Sequence, residues 1–527
     1  MSETSVPAPP DSNGYLQRIL RARVYEVAIE SPLDPAPSLS TRLGNRVLLK
    51  REDLQPVFSF KLRGAYNKMV GLSTAELERG VIAASAGNHA QGVAMAAQRL
   101  GCRAVIVMPV TTPEVKVKAV AARGAEVVLH GDGYDDACTE AMRLAAAAGL
   151  SFIHPFDDPD VIAGQGTIAL EILRQCSTPP DVIYVAVGGG GLIGGIAAYV
   201  KALWPQVEIV GVEPVDADAM TRSLAAGSRI RLEQVGLFAD GVAVRQVGEV
   251  TFALAQRYVD RMVTVNTDAI CAAIKDCFED TRSILEPAGA LAIAGMKADV
   301  HNRGLKNRTL VAVACGANMN FDRLRFVAER TEIAEDREAM LAVEIPEQPG
   351  SLRRFCNLLG ARSLTEFSYR LADPTRAHIF VGVQTTGSSD EQDLIHDVRA
   401  AGFPCLDLSN DELSKLHLRH MVGGRLPLPA AGPELRELLY RFEFPERPGA
   451  LMRFLTSLHP NWNISIFHYR NHGADVGRIV VGVQVPADEH SAWQNFLDGL
   501  GYQYVDESSN PAYQLFLGAV PAAGSLR

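Results

Sequence analysis

Between about residues 47 and 315, apolar positions fall into short, nearly continuous runs separated by stretches in which they recur every three or four residues. The runs are Val47–Lys50, Val81–Ser85, Ala104–Met108, Glu126–Leu129, Val182–Val187, Val207–Val212 and Thr309–Ala314. The helix-period stretches include Ala90–Leu100, Glu114–Arg123, Asp135–Ala148, Ile193–Leu203 and Asp268–Ser283. Strands with little polar alternation are buried on both faces, so this order predicts an α/β fold with parallel sheet covered by helices. Ligands in such sheets bind beyond the carboxyl ends of the strands.

The pattern changes after about Glu332, where the chain repeats itself. Glu344-Ile-Pro-Glu-Gln-Pro-Gly-Ser-Leu352 matches Glu443-Phe-Pro-Glu-Arg-Pro-Gly-Ala-Leu451. Phe367-Ser-Tyr-Arg370 matches Phe467-His-Tyr-Arg470, and Val381-Gly-Val-Gln384 is identical to Val481-Gly-Val-Gln484. The offset is 99 residues at the first match and 100 at the later two, so one residue has been inserted between them. A period this long predicts a duplicated domain rather than a solenoid unit. Each copy reads strand, Pro-Gly turn, helix, two strands, helix, strand. The expected organisation is a disordered tail over 1–14, a first domain over 15–330, one repeat over 338–420, a linker over 421–437 and the second repeat over 438–520.

Composition narrows the function classes. The 527 residues carry a formal net charge of −10, against the basic excess that nucleic acid or an anionic membrane requires. No run of about 18 apolar residues offers a membrane span. The eight cysteines are scattered without a C-x-x-C pair, which is neither a disulfide framework nor a zinc pattern and points to a reducing compartment. Met1 to Gly14 is polar and proline-rich, unlike a signal peptide.

Three segments carry chemistry, each where a strand ends. In Ser59-Phe60-Lys61-Leu62-Arg63-Gly64-Ala65, Lys61 is flanked by apolar residues at the start of a helical pattern. Desolvation there disfavours the ammonium and makes the amine nucleophilic, although a lone lysine is more often a surface residue. Ser85-Ala86-Gly87-Asn88-His89 opens the next helix, where free backbone N–H groups suit a carboxylate and an ordinary helix cap is an equal reading. Gly188, Gly189, Gly190 and Gly191 lie between a strand and a helix, the setting in which glycines let the backbone close on a phosphate. Gly189, Gly191 and Gly194 also form G-x-G-x-x-G, with Glu213 at the end of the next strand. On that segment alone a nicotinamide-dinucleotide dehydrogenase is a fair rival. It leaves the lysine segment and the Ser-Gly-Asn loop unexplained.

Taken in order, with Glu286-Pro-Ala-Gly-Ala290 and Cys315-Gly-Ala-Asn-Met-Asn320, these motifs resemble those of the serine/threonine dehydratases. These belong to the fold type II (tryptophan synthase β-like) pyridoxal-phosphate enzymes, and the resemblance covers the first ~325 residues. With the duplicated tail, the chain resembles the biosynthetic threonine deaminases, whose regulatory region is α+β with two ACT-like subdomains. The resemblance implies pyridoxal 5'-phosphate as cofactor and Lys61 as its Schiff-base lysine and the acid and base at Cα. It implies Phe60 packed near the ring, Asn88 bonded to the phenolic oxygen, and Gly188 to Gly191 with Leu192 around the phosphate. Ser85, Gly87 and His89 would receive the substrate carboxylate. Cys315 falls where many relatives face the pyridine nitrogen with a serine, and a thiol there cannot strongly protonate that nitrogen, which leaves the ring a weaker electron sink. Glu286 is a further site residue.

The implied reaction is elimination of water from L-threonine to give 2-oxobutanoate and ammonia, the first step of isoleucine biosynthesis, with L-serine as a secondary substrate. Isoleucine as inhibitor and valine as activator would bind the duplicated region, where Tyr369 and Tyr469 stand at equivalent positions. A homotetramer in the cytoplasm is implied as well. Some relatives bind a metal through a glutamate and an acidic residue six positions later. Here Glu213 is followed at that spacing by Ala219, with Asp216 and Asp218 off register, so no metal is expected. The alternatives are another enzyme of the fold, such as serine dehydratase or threonine synthase, or a non-catalytic amino-acid sensor.

Overall fold

The computed structural model describes residues 12–131, 133–321, 323–334, 338–360, 362–370, 375–411, 435–445, 450–470 and 476–509. The chain divides into two compact units, Met1–Thr331 and Glu332–Arg527.

The first unit holds two sheets. Its strands are β1 (Leu33–Pro35), β2 (Arg46–Arg51), β3 (Val81–Ala84), β4 (Ala104–Met108), β5 (Glu126–Leu129), β6 (Ser151–Phe152), β7 (Val182–Ala186), β8 (Glu208–Pro214), β9 (Arg261–Val265) and β10 (Thr309–Ala314). The larger sheet runs β1-β2-β10-β7-β8-β9 and the smaller β5-β4-β3-β6. All pairings are parallel except β1 with β2. Every residue of β3, β4 and β7 is buried, as continuous apolar runs require. All seven expected strands form to within two residues at either end. β1, β6 and β9 were not anticipated: β6 is two residues long, and β1 and β9 are short strands at the sheet edges.

The second unit is one antiparallel sheet in the order β14-β11-β13-β12-β16-β17-β15-β18. Its first copy contributes β11 (Glu338–Pro346), β12 (Leu364–Arg370), β13 (Arg376–Gln384) and β14 (Cys405–Asp407). The second contributes β15 (Leu435–Pro445), β16 (Asn463–Arg470), β17 (Val476–Pro486) and β18 (Gln503–Asp506). Each copy has helices after its first and third strands, matching the predicted order. The copies join through β12 and β16, where Phe367 faces Tyr469 and Tyr369 faces Phe467. The register slips at the same place in both, between Leu364 and Glu366 and between Ile464 and Ile466.

Two expected boundaries move. A helix over Ser12–Leu20 starts inside the stretch expected as tail, packing Tyr15 and Ile19 into the core. Strand β15 starts at Leu435, inside the expected linker, because its ladder with β17 extends back to Pro486. The rest of that linker lies outside the described residues. No described helix is long and apolar enough to cross a membrane.

Candidate active site

Lys61 is the first residue of the helix Lys61–Val70. The segment before it is held against the end of β10. Ser59 bridges to Gly316, the Phe60 amide donates to the Cys315 carbonyl at 3.3 Å, and the Ala317 amide donates to Phe58 at 2.8 Å. Phe58 takes a left-handed φ of 54° to enter this bridge. Phe60 is buried beside the larger sheet. Lys61 keeps partial solvent access, yet the surrounding protein desolvates its ammonium and lowers its pKa below the ordinary lysine range, against the opposing fields of Glu286, Cys315 and Asp240.

Glu286 and Asn88 close one wall. Asn88 begins the helix Asn88–Leu100 after β3 and donates through Nδ2 to Glu286 Oε1 at 2.5 Å. Glu286 caps the helix Pro287–Arg303, and its amide donates to the Gly316 carbonyl at 3.1 Å. Burial, with the charge of Asp240 nearby, pushes the Glu286 carboxyl up to about 7. Burial and the neighbouring Glu286 also push the Cys315 thiol well above its usual range, and Cys315 Sγ lies 3.3 Å from the Ala288 carbonyl. A thiol held this firmly neutral suits a neutral partner better than a charged one.

The tetraglycine follows β7 and leads into the helix Gly191–Leu203, with Leu192 buried in its first turn. Gly190 has φ of 94°, where side chains are strained. A Cβ on Gly189 would sit 2.2 Å from the Phe156 ring, and one on Gly188 would sit 2.9 Å from Val242 Cα. Val242 ends the turn Asp240–Val242, whose Gly241 packs on Ala288 and faces Glu286 and Asn88. This turn joins the glycine segment to the wall formed by Glu286 and Asn88. A helix N-terminus with closely packed glycines is a cradle for a dianionic phosphate.

In the Ser85–His89 loop, Ser85 Oγ accepts from the Gly87 amide at 3.2 Å, and Gly87 is the helix cap without a side-chain capping bond. The His89 ring turns away from the loop and pairs through Nε2 with the Ile153 carbonyl at 2.8 Å. Burial and the Lys61 charge hold it neutral, with a pKa lowered to about 3. Among the described residues, the buried Ser59 Oγ and His89 Nδ1 have no hydrogen-bond partner.

Glu213 is committed elsewhere. Its carboxylate accepts from the Met220 amide, the Thr221 amide and the Thr221 hydroxyl at 2.7–2.8 Å, capping the helix Ala219–Ala226. It is therefore not free to hold a ribose as the dehydrogenase reading requires.

Two residues escaped the sequence reading. Arg63, inside the lysine motif, is fully buried and donates to Glu52 and Glu171. Asn318 donates to Asn88 Oδ1 at 2.6 Å. The signal for Arg63 was a charged residue in an otherwise apolar motif; Asn318 had none beyond its place in Cys315–Asn320.

A desolvated lysine, a glycine cradle at a helix N-terminus and a neutral thiol at a strand end define the class: a fold type II pyridoxal-phosphate enzyme. The donor set fits that cofactor. Comparison with known proteins agrees and goes further. A family profile described as pyridoxal-phosphate dependent enzyme matches residues 25–316, and one described as the C-terminal regulatory domain of threonine dehydratase matches 329–418 and 430–517. The L-threonine dehydratase biosynthetic IlvA of Burkholderia multivorans is 60% identical over 96% of this chain and 99% of its own. The Escherichia coli protein of the same name is 50% identical over 96% and 98%. The structure of the processed form of threonine deaminase isoform 2 from Solanum lycopersicum is 53% identical, with a TM-score of 0.61, over 62% of this chain and 91% of that one. The chain belongs to the biosynthetic threonine dehydratase family, pyridoxal-phosphate-dependent lyases with a duplicated regulatory domain.

Proposed function

We propose that this chain deaminates L-threonine to 2-oxobutanoate and ammonia as the first step of isoleucine biosynthesis, with Lys61 as its catalytic amine. The observation that carries the assignment of Lys61 is its place at a helix start against Cys315 and Glu286, where burial keeps its amine below the ordinary lysine pKa. Pyridoxal phosphate, when bound, supplies the electron sink that stabilises the negative charge left at Cα when its proton departs.

Lys61 would hold the cofactor and, once free, would take the Cα proton of the substrate, for which a depressed pKa is the useful setting. Gly188 to Gly191 with Leu192 would hold the cofactor's phosphate, and Phe60 would pack near its ring. Asn88 would donate to the phenolic oxygen. Ser85 and the backbone of Gly87 and His89 receive the substrate carboxylate; the His89 ring, bonded to Ile153, takes no part. Cys315 would meet the pyridine nitrogen as a neutral thiol, a partner that suits elimination better than transamination. The β-hydroxyl leaves as water with the proton that Lys61 took from Cα, passed directly or through solvent. The released enamine tautomerises to an imine and takes up water to give the 2-oxoacid and ammonia. L-Serine follows the same route to pyruvate.

The duplicated unit binds the effector, isoleucine as inhibitor and valine as activator. Supporting this is a cavity lined by Ile345, Glu347, Gly350, Tyr369, Trp462 and Asn463, drawn from both copies. Tyr369 donates to one Glu347 oxygen at 2.7 Å and Asn463 to the other at 3.0 Å, presenting a carboxylate for an amino acid's ammonium. Tyr469 does not line this cavity and donates to the Leu364 carbonyl at 3.1 Å. The family resemblance supports a homotetramer in the cytoplasm.

The test is 2-oxoacid release from threonine and serine, with and without isoleucine, by the wild type and Lys61→Ala. Release by the wild type alone, with threonine preferred and isoleucine inhibiting, is expected. No release from either substrate overturns the reading.

A further inference from the structure

Asn318 lies four residues past the end of β10. Its Nδ2 donates twice, to the Val57 carbonyl at 2.8 Å and to Asn88 Oδ1 at 2.6 Å. Asn88 Nδ2 in turn donates to Glu286 Oε1 at 2.5 Å. The two ends of an asparagine amide have nearly the same shape and opposite hydrogen-bonding character, so its orientation is set by its partners.

Glu286 cannot set it alone, because a carboxyl group that gains a proton donates as well as accepts. The Val57 carbonyl has no such freedom. A backbone oxygen only accepts, so it pins the nitrogen end of Asn318 toward itself and toward Asn88. That leaves the oxygen end of Asn88 facing Asn318 and its nitrogen end, with two N–H bonds, facing the site. One goes to Glu286 and one remains.

We propose that Asn318 is a positioning residue that, anchored on the Val57 carbonyl, fixes the Asn88 amide so that an N–H rather than an oxygen meets the cofactor's phenolic oxygen. This rests on the placement of Asn88 given above. An inverted amide would set oxygen against oxygen and weaken the hold on the ring.

The experiment uses holoenzyme and two substitutions of opposite character. Asn318→Asp keeps the shape but sets an acceptor against both the Val57 carbonyl and Asn88 Oδ1, which favours inversion of the Asn88 amide. Asn318→Ala removes the partner and leaves that amide free. The expected result is a fall in kcat of about ten- to a hundredfold for Asn318→Asp, with a smaller fall for Asn318→Ala. The visible absorption of the bound cofactor and its pH titration should shift in the same order. A packing role predicts the reverse, since alanine leaves a cavity and aspartate does not.

In an Asn88→Ala background both substitutions should lose their spectral effect, which keeps the idea testable through Asn318→Ala if Asn318→Asp does not fold. Wild-type spectrum and rate to within about twofold in Asn318→Asp, or a larger loss in Asn318→Ala, overturns the proposal. An unchanged cofactor spectrum in Asn88→Ala itself shows instead that the placement of Asn88 is wrong, and the proposal falls with it.

Discussion

The Arg63 guanidinium bonds Glu171 at 2.5 and 3.0 Å in a place where neither side chain touches solvent. Around them, Glu52 takes two bonds from Arg63 at 2.8 Å, and Lys50 donates to Glu171 at 2.6 Å. Two cations and two carboxylates are fully buried and balanced. The cluster ties the first turn of the Lys61 helix to β2 and to the helix Pro159–Gln175.

Removing one member leaves a buried charge unpaired. Arg63→Met should cost about 3–5 kcal/mol, measured by urea unfolding. The double variant Arg63→Met with Glu171→Met leaves Lys50 and Glu52 balanced and should cost clearly less than the sum of the two single losses. Additive losses would show that the charges do not act as a group.

Glu286 makes stability depend on pH. Its carboxyl is raised from 4.5 to about 7 in the fold, so the folded state holds that proton more tightly than the unfolded one. The contribution is complete below about 4.5 and is lost as pH rises through 7, by at most ~3 kcal/mol. In cofactor-free protein, the wild type should lose stability relative to Glu286→Gln between pH 5 and 8. Parallel curves would place the Glu286 pKa near its ordinary value.

The glycine cradle leaves no room for a side chain at Gly189. Gly189→Ala should lower cofactor affinity by about tenfold or more, because a Cβ 2.2 Å from the Phe156 ring forces backbone or ring to move. Titration of apoprotein with cofactor reads this directly. Combining it with Phe156→Ala should restore part of the loss.

The two equivalent tyrosines should behave differently. Tyr369→Phe removes the bond to Glu347 and should raise the isoleucine concentration for half inhibition by about tenfold. Tyr469→Phe breaks its bond to the Leu364 carbonyl, away from the cavity, and should change it less. Equal effects would move the effector site away from the Glu347 cavity.

Much of the catalytic unit was legible because its cues are local. Asn88 and Gly188–Gly191 each follow a strand that a hydrophobic run marks, and β3, β4, β7 and β10 form where those runs lie, whereas Lys61 lies ten residues past β2 and meets the end of β10 through the fold. Glu213 shows the limit. Its spacing from the glycines fits a ribose ligand, while in the fold its oxygens cap the helix Ala219–Ala226. Tyr369 and Tyr469 show it again: their repeat positions are equivalent, but only Tyr369 lines the cavity.

The sequence by itself determined seven of the ten strands of the first unit, the duplication and, through the resemblance its motifs carry, the cofactor and the family of the reaction, because periodicity and motif are properties of neighbouring residues. Only the tertiary structure decided that the first unit has two sheets, that the copies join through β12 and β16, that Arg63 enters a buried charge cluster, and that Asn318 meets Asn88. Each of these pairs residues many positions apart. Their partners are chosen by burial and hydrogen-bond satisfaction once the chain is packed, and no local pattern encodes that choice.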